Sequence, residues 1–150
     1  MIADEAAEAI LTQLAEDPGG GAALRRKAME LLDELPNYNW SGIYRLEGDT
    51  LVLDEYAGAA TDHTRIPVGR GVCGTAVAEK ANQVVEDVRE LSNYLACSTQ
   101  TRSEIVVLIR SGDQILGQID IDGHTVGAFD QSDERFLERM AETLAERWDD

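Results

Sequence analysis

Ser103-Glu104-Ile105-Val106-Val107-Leu108-Ile109-Arg110-Ser111-Gly112-Asp113-Gln114-Ile115-Leu116-Gly117-Gln118-Ile119-Asp120-Ile121-Asp122 decides the fold class. Two β-branched, apolar runs flank Ser-Gly-Asp, a turn composition, so the stretch reads as a β-hairpin. With Ser111-Gly112-Asp113 as a three-residue loop, Ile105 faces Ile119, Val107 faces Gly117 and Ile109 faces Ile115, all on one apolar face. The other face pairs Glu104 with Asp120, Val106 with Gln118 and Leu108 with Leu116. A two-residue loop shifts the register by one and mixes the two faces, so the hydrophobic pattern selects the three-residue loop. Glu104 then faces Asp120, and Asp122 points the same way. Like charges directly opposite one another destabilise a sheet. Such a carboxylate trio is either a solvated face of an acid-rich protein or a site that holds an ammonium group or shares a proton.

Outward from this hairpin, Trp40-Ser41-Gly42-Ile43-Tyr44-Arg45-Leu46 alternates as a strand, Glu47-Gly48-Asp49 turns, and Thr50 to Tyr56 returns. Thr61 to Gly71 is loop-like, Gly74 to Lys80 suits a short helix and Asn82 to Glu86 a short strand. Asp87 to Arg102 has no period and is rich in Ser, Thr and Asn. A long irregular stretch in a compact domain is often a functional loop, and Cys97 lies in its middle. Helical periodicity covers Ala3 to Glu16 through Ile10, Leu11 and Leu14. It covers Ala22 to Leu35 through Leu24, Ala28, Leu31, Leu32 and Leu35, before Pro36. A C-terminal helix is expected from Gln131 to Trp148, with Asp130 as N-cap and Phe136, Met140, Leu144 and Trp148 as a packing stripe. This order predicts an α+β fold: a central five- or six-stranded, mostly antiparallel sheet with the N- and C-terminal helices packed on one face. One domain is expected, with helices over 1–36, sheet and loops over 37–129, and the last helix over 130–150.

The 150 residues include 29 acidic and 13 basic side chains, a formal net charge of -16. So negative a surface repels phosphates, which disfavours nucleic acid and anionic membranes as partners. Only Lys27 and Lys80 are lysines. An acid-rich, lysine-poor surface suits a saline cytoplasm, and an arginine-favouring genome gives the same bias. The longest apolar run, Ile105–Ile109, is far too short to span a membrane. Asp4, Glu5 and Glu8 stand where a secretory leader carries basic residues, so a cytoplasmic location is expected. Cys73 and Cys97 then read as reduced thiols, either inert and buried or reactive. No metal site is expected, because there is no C-x-x-C pair and His63 and His124 are isolated in sequence.

Several segments together resemble the free methionine-(R)-sulfoxide reductases, an enzymatic branch of the GAF domains. They are Asn39-Trp40-Ser41-Gly42-Ile43-Tyr44, Ile66-Pro67-Val68-Gly69-Arg70-Gly71-Val72-Cys73-Gly74-Thr75-Ala76, Leu95-Ala96-Cys97, Arg102-Ser103-Glu104-Ile105-Val106-Val107, Leu116-Gly117-Gln118-Ile119-Asp120-Ile121-Asp122 and Gly127-Ala128-Phe129-Asp130. The resemblance implies a GAF-like fold and reduction of the free amino acid methionine-(R)-sulfoxide. Cys97 matches the nucleophile, and Cys73 a cysteine that can act in resolution. Trp40 and Tyr44 match aromatics around the substrate's methyl end, and Glu104, Asp120 and Asp122 match substrate-binding carboxylates. It also implies no bound cofactor, a thioredoxin-like dithiol as electron donor, and a homodimer built from the terminal helices.

The chain departs from the family pattern at three places. His63 stands where a further cysteine is common, Asn93-Tyr94 replaces a Gly-His pair, and Ser98 replaces an Asp. A GAF module that binds a small amino-acid-like ligand without turning it over is the alternative reading, and a purely structural dimerisation domain is a third.

Overall fold

The computed structural model describes residues 1–92 and 100–149. Helices α1 (Asp4–Glu16) and α2 (Gly21–Asp33) lead into strands β1 (Trp40–Glu47), β2 (Thr50–Ala57) and β3 (Arg65–Pro67). Helix α3 (Gly71–Glu79), strand β4 (Gln83–Val85) and a single 3₁₀ turn at Val88–Glu90 follow. Strands β5 (Ser103–Ser111) and β6 (Gln114–Gly123) and helix α4 (Gln131–Glu146) complete the chain. The six strands form one sheet in the order β3-β2-β1-β6-β5-β4, with every neighbouring pair antiparallel. The expected architecture therefore holds, with six strands. Strand β3 lies in a stretch expected to be loop; at three residues around Pro67 it is too short to show a period.

One face of the sheet carries the main core. Ile43, Ile105, Val107, Ile109, Ile119 and Ile121 pack there against Ile10, Leu11 and Leu14 of α1, Leu24, Ala28, Met29 and Leu32 of α2, and Phe136, Leu137, Met140 and Leu144 of α4. The terminal helices thus share one face, as their stripes predict. Asp130 caps α4 in a capping box: its side chain accepts from Ser132 N–H while its own N–H donates to Asp133 at 2.9 Å. Buried Arg25 ties three elements together. It bonds Asp54 at 2.5 Å and the Trp148 carbonyl at 2.7 Å, and lies over the Trp148 ring.

The β5–β6 hairpin corrects the expected register. Ser111 pairs with Gln114, so the loop is two residues, Gly112 and Asp113. Gly112 takes φ 61° at the first loop position, a conformation that favours glycine. Arg110 then pairs with Ile115 but Ile109 with Gly117, leaving Leu116 as the extra residue of a β-bulge. The bulge restores the parity that the short loop would have lost. From Gly117 onward both faces keep their expected members while every pairing moves by two, but Ile115 and Leu116 exchange faces, so that Leu116 packs against the main core and Ile115 on the opposite side. Glu104 faces Asp122 rather than Asp120, Ile105 faces Ile121 rather than Ile119, and Val106 faces Asp120 rather than Gln118. Likewise Val107 faces Ile119, Leu108 faces Gln118 and Ile109 faces Gly117.

The second face is covered by α3, with Tyr44, Leu51, Ile66, Val72, Cys73, Ala76, Val77, Val106 and Leu108 forming a smaller core. Gly74 sets the seat of this helix. A Cβ there would lie 2.5 Å from the Pro67 carbonyl oxygen, and Gly69 N–H donates to the Gly74 carbonyl at 2.8 Å. Gly74→Ala is therefore expected to destabilise the domain by about 1–3 kcal/mol, read as a lower midpoint in urea unfolding. An unchanged midpoint would show that the Pro67–Gly69 turn moves aside freely.

Candidate active site

Three rows of side chains cross the sheet under α3, set by strand register. The first joins Trp40 of β1, Asp122 of β6 and Glu104 of β5; the second joins Gly42, Asp120 and Val106; the third joins Tyr44, Gln118 and Leu108. Because alternate residues share a face, Asp120 and Asp122 project on the same side as Glu104. All three carboxylates are buried, with exposures of 4% for Glu104, 0% for Asp120 and 1% for Asp122. Their burial shows that this is no solvated face.

Gly42 makes room for the aromatic wall. A Cβ at Gly42 would sit 2.2 Å from Trp40 Cη2, so the indole lies across the glycine towards the Asp120 row. Trp40 is held there by stacking on Tyr56 at 5.8 Å and by its Nε1–H donating to the Ala59 carbonyl at 2.9 Å. Tyr44 is fully buried, 6.5 Å from Trp40 between ring centroids, and its hydroxyl donates to the His63 carbonyl at 2.8 Å. That bond fixes the loop before β3 over the site.

Helix α3 brings the thiol. Cys73 is buried in its first turn, with Sγ 3.8 Å from Glu104 Oε2. His63, Ile66, Arg70, Gly71, Val72, Cys73, Glu104 and Asp120 enclose a cavity of about 10 Å³, roughly the room one water needs. A wider cavity of about 210 Å³, lined by Gly71, Val72, Thr75, Gln83, Val85, Leu91 and Ser92, shares two of these walls. Trp40, Tyr44 and Asp122 stand in the rows beside the smaller cavity and are not among its lining residues. Cys97 lies outside the described residues.

The electrostatics follow from burial. Removal from water pushes the Glu104 carboxyl well above the usual carboxylate range; the neighbouring charges of Asp120 and Asp122, and their acceptance of a proton from it, push it further. Burial also raises Asp120, opposed by Glu104 and Cys73 beside it. Beyond Glu104 and Cys73, no described residue offers a donor to either Asp120 oxygen. Three carboxyl groups this close cannot all ionise comfortably, and Glu104, raised by burial and by both neighbours, is the one placed to keep its proton. The site therefore combines an acid that can donate a proton, carboxylates that can hold an ammonium, and a thiol.

Sequence reasoning missed three members of the surroundings. His63 and Arg70 reach the cavity from the loop before α3 and its start, where no periodicity indicates direction. Gln118 is completely buried between Tyr44 and Leu108, with neither amide atom hydrogen-bonded among the described residues. Its alternation with Asp120 and Asp122 was the available signal for that one.

The GAF domain model matches residues 4–148 of the chain. Free methionine-R-sulfoxide reductase of Escherichia coli (strain K12) is 42% identical over 123 residues, covering 82% of this chain and 74% of that protein. A solved GAF domain superposes with a TM-score of 0.90 at 32% identity, covering 97% of this chain and 88% of the other. The free methionine-R-sulfoxide reductase of Neisseria meningitidis, solved in complex with its substrate, gives a TM-score of 0.87 at 33% identity, covering 99% and 92%. With its fold, its buried carboxylate rows and these similarities agreeing along almost its whole length, the chain belongs to the GAF domain family and, within it, to the free methionine-(R)-sulfoxide reductases.

Proposed function

We propose that the protein reduces free methionine-(R)-sulfoxide to methionine. The observation that carries this reading is the buried trio of Glu104, Asp120 and Asp122 in two adjacent rows beside Trp40, held under a helix that carries a thiol. Protonated Glu104 donates to the sulfoxide oxygen, which makes the sulfur more electrophilic. The Cys97 thiolate attacks, the sulfur–oxygen bond breaks, methionine leaves, and the oxygen and proton end on Cys97 as a sulfenic acid. Cys73 condenses with it, giving a disulfide and water, and an external dithiol such as thioredoxin restores both thiols by exchange. No bound cofactor enters this cycle.

Asp120 and Asp122 hold the free α-ammonium, while Trp40 and Tyr44 enclose the methyl end. Peptide bonding removes the ammonium charge, so the same contacts disfavour a methionine sulfoxide inside a protein. The runner-up is a GAF module that binds the same class of ligand without turnover, a reading motivated by His63 at the position of a third cysteine. An NADPH-coupled thioredoxin assay with free methionine-(R)-sulfoxide separates the two: turnover is expected. Binding of the sulfoxide without turnover, with thioredoxin and with a small dithiol alike, would select the module.

A cytoplasmic location is part of this reading, since the cycle needs a reducing compartment. Among the described residues no helix is long and apolar enough to cross a membrane. A homodimer through the terminal helices is also part of it, and sedimentation at tens of micromolar protein is expected to give twice the chain mass; a single monomeric species would refute that assembly.

A further inference from the structure

We propose that Cys73, Glu104 and Asp120 form a binding site for a divalent transition-metal ion, zinc above all, at the floor of the small cavity. Each offers one ligand atom, and these atoms all lie within 4.8 Å of one another. Cys73 Sγ and Glu104 Oε2 are already 3.8 Å apart. Zinc bonds of about 2.3 Å to sulfur and 2.0–2.2 Å to oxygen place tetrahedral ligands roughly 3.5 Å apart. Closing the set around an ion thus takes side-chain adjustments of about an ångström.

A second observation points to a cation. Asp120 is fully buried and lines the cavity, and the donors that reach its oxygens are the Glu104 carboxyl and the Cys73 thiol, the two groups that would join it as ligands; no N–H or hydroxyl of another described residue meets it. A buried carboxyl partnered only by another carboxyl and a thiol has no positive charge to balance it, and an ion that displaces their protons would supply one. The donor set chooses the metal. A thiolate favours zinc over magnesium or calcium, which prefer oxygen alone. Three protein ligands leave a fourth position for water or for Asp122 in the neighbouring row. Sequence spacing gave no hint of this set, because its members come from α3, β5 and β6 and only the fold unites them.

The ion would occupy the carboxylates that the amino-acid ligand is read to use. Zinc-loaded and ligand-loaded states then exclude one another, which makes the metal a reversible off-state of the pocket and a cap on the Cys73 thiol. The site itself does not rest on the reductase reading, since binding is measured without turnover.

The test titrates the full reduced chain with cadmium, in excess magnesium to mask the acidic surface. The readout is the ultraviolet thiolate-to-cadmium charge-transfer band. Saturation at one equivalent per chain and displacement by zinc are expected. Cys73→Ser should lose the band, and Asp120→Asn should weaken zinc binding by at least about tenfold, with circular dichroism confirming that each variant is folded. A band that survives Cys73→Ser, or zinc binding that excess magnesium abolishes, would overturn the proposal. Should Cys73→Ser fail to fold, Asp120→Asn decides: unchanged zinc affinity in that variant overturns it equally.

Discussion

Cys97→Ser is expected to cut turnover of free methionine-(R)-sulfoxide to below about 10⁻⁴ of the unsubstituted protein, since removing a nucleophile typically costs this much or more. The reason is chemical as well as kinetic. The step needs an atom that accepts the sulfoxide oxygen and is afterwards reduced by thiols. Sulfur does this through a sulfenic acid, whereas a serine hydroxyl has no corresponding state. Binding should survive, because the contacts assigned to the ammonium and the methyl group lie on β1 and β6. Calorimetric titration should therefore find the substrate affinity within a few-fold of the original. Turnover that persists in Cys97→Ser would remove this residue from its role and pass attack to Cys73, which touches Glu104 directly.

Glu104→Gln is expected to lower kcat by about 10²–10⁴-fold, the usual contribution of a general acid. The amide keeps the shape and can donate a hydrogen bond but cannot deliver a proton. Stability should move the other way. Glu104 titrates higher in the folded chain than in the unfolded one, whose value is near the ordinary 4.5. Between those two values the folded state binds more protons, so the protein loses stability as pH rises through the window, and the loss is complete above the folded value. Glutamine removes this penalty. Urea midpoints should show Glu104→Gln gaining on the original from about pH 4.5 upward, with the gain levelling off once Glu104 is ionised. A variant that is less active and less stable at neutral pH would mean that the carboxyl is structural. This opposition between activity and stability is what a buried like-charge cluster kept for chemistry entails.

The membership of the two sheet faces was legible because period-two alternation between Ser103 and Asp122 is strong on both strands. The pairing was not, because a short loop and a bulge cancel in parity from Gly117 onward, and only Ile115 and Leu116 change faces. Gly117 carried the missing signal. A glycine inside a strand often marks a bulge or a close backbone approach, and a Cβ there would lie 2.3 Å from the Tyr44 carbonyl oxygen. The carboxylate trio was legible in the alternation of the hairpin strands, yet whether it was solvated depended on α3. That helix is seated by the Pro67–Gly74 contact, a steric relation no periodicity reveals. Cys73 was visible as a residue, but its place at 3.8 Å from Glu104 requires the crossing of α3 over β5. Trp40 and Tyr44 entered as site residues through the family resemblance, and their even separation on β1 puts them on the face of Asp120 and Asp122. His63 is drawn to the site in part by the Tyr44 hydroxyl, which donates to its carbonyl, a contact that strand periodicity does not reveal.

The most direct measurement is a single turnover without external reductant. The reduced protein is mixed anaerobically with one equivalent of free methionine-(R)-sulfoxide, methionine is quantified, and the protein is digested under thiol-trapping conditions for mass spectrometry. One methionine per chain and a Cys73–Cys97 crosslinked peptide are predicted, with the (S) epimer giving neither. No methionine from the (R) epimer, with both thiols recovered free, would contradict the assignment of reductase chemistry to this pocket.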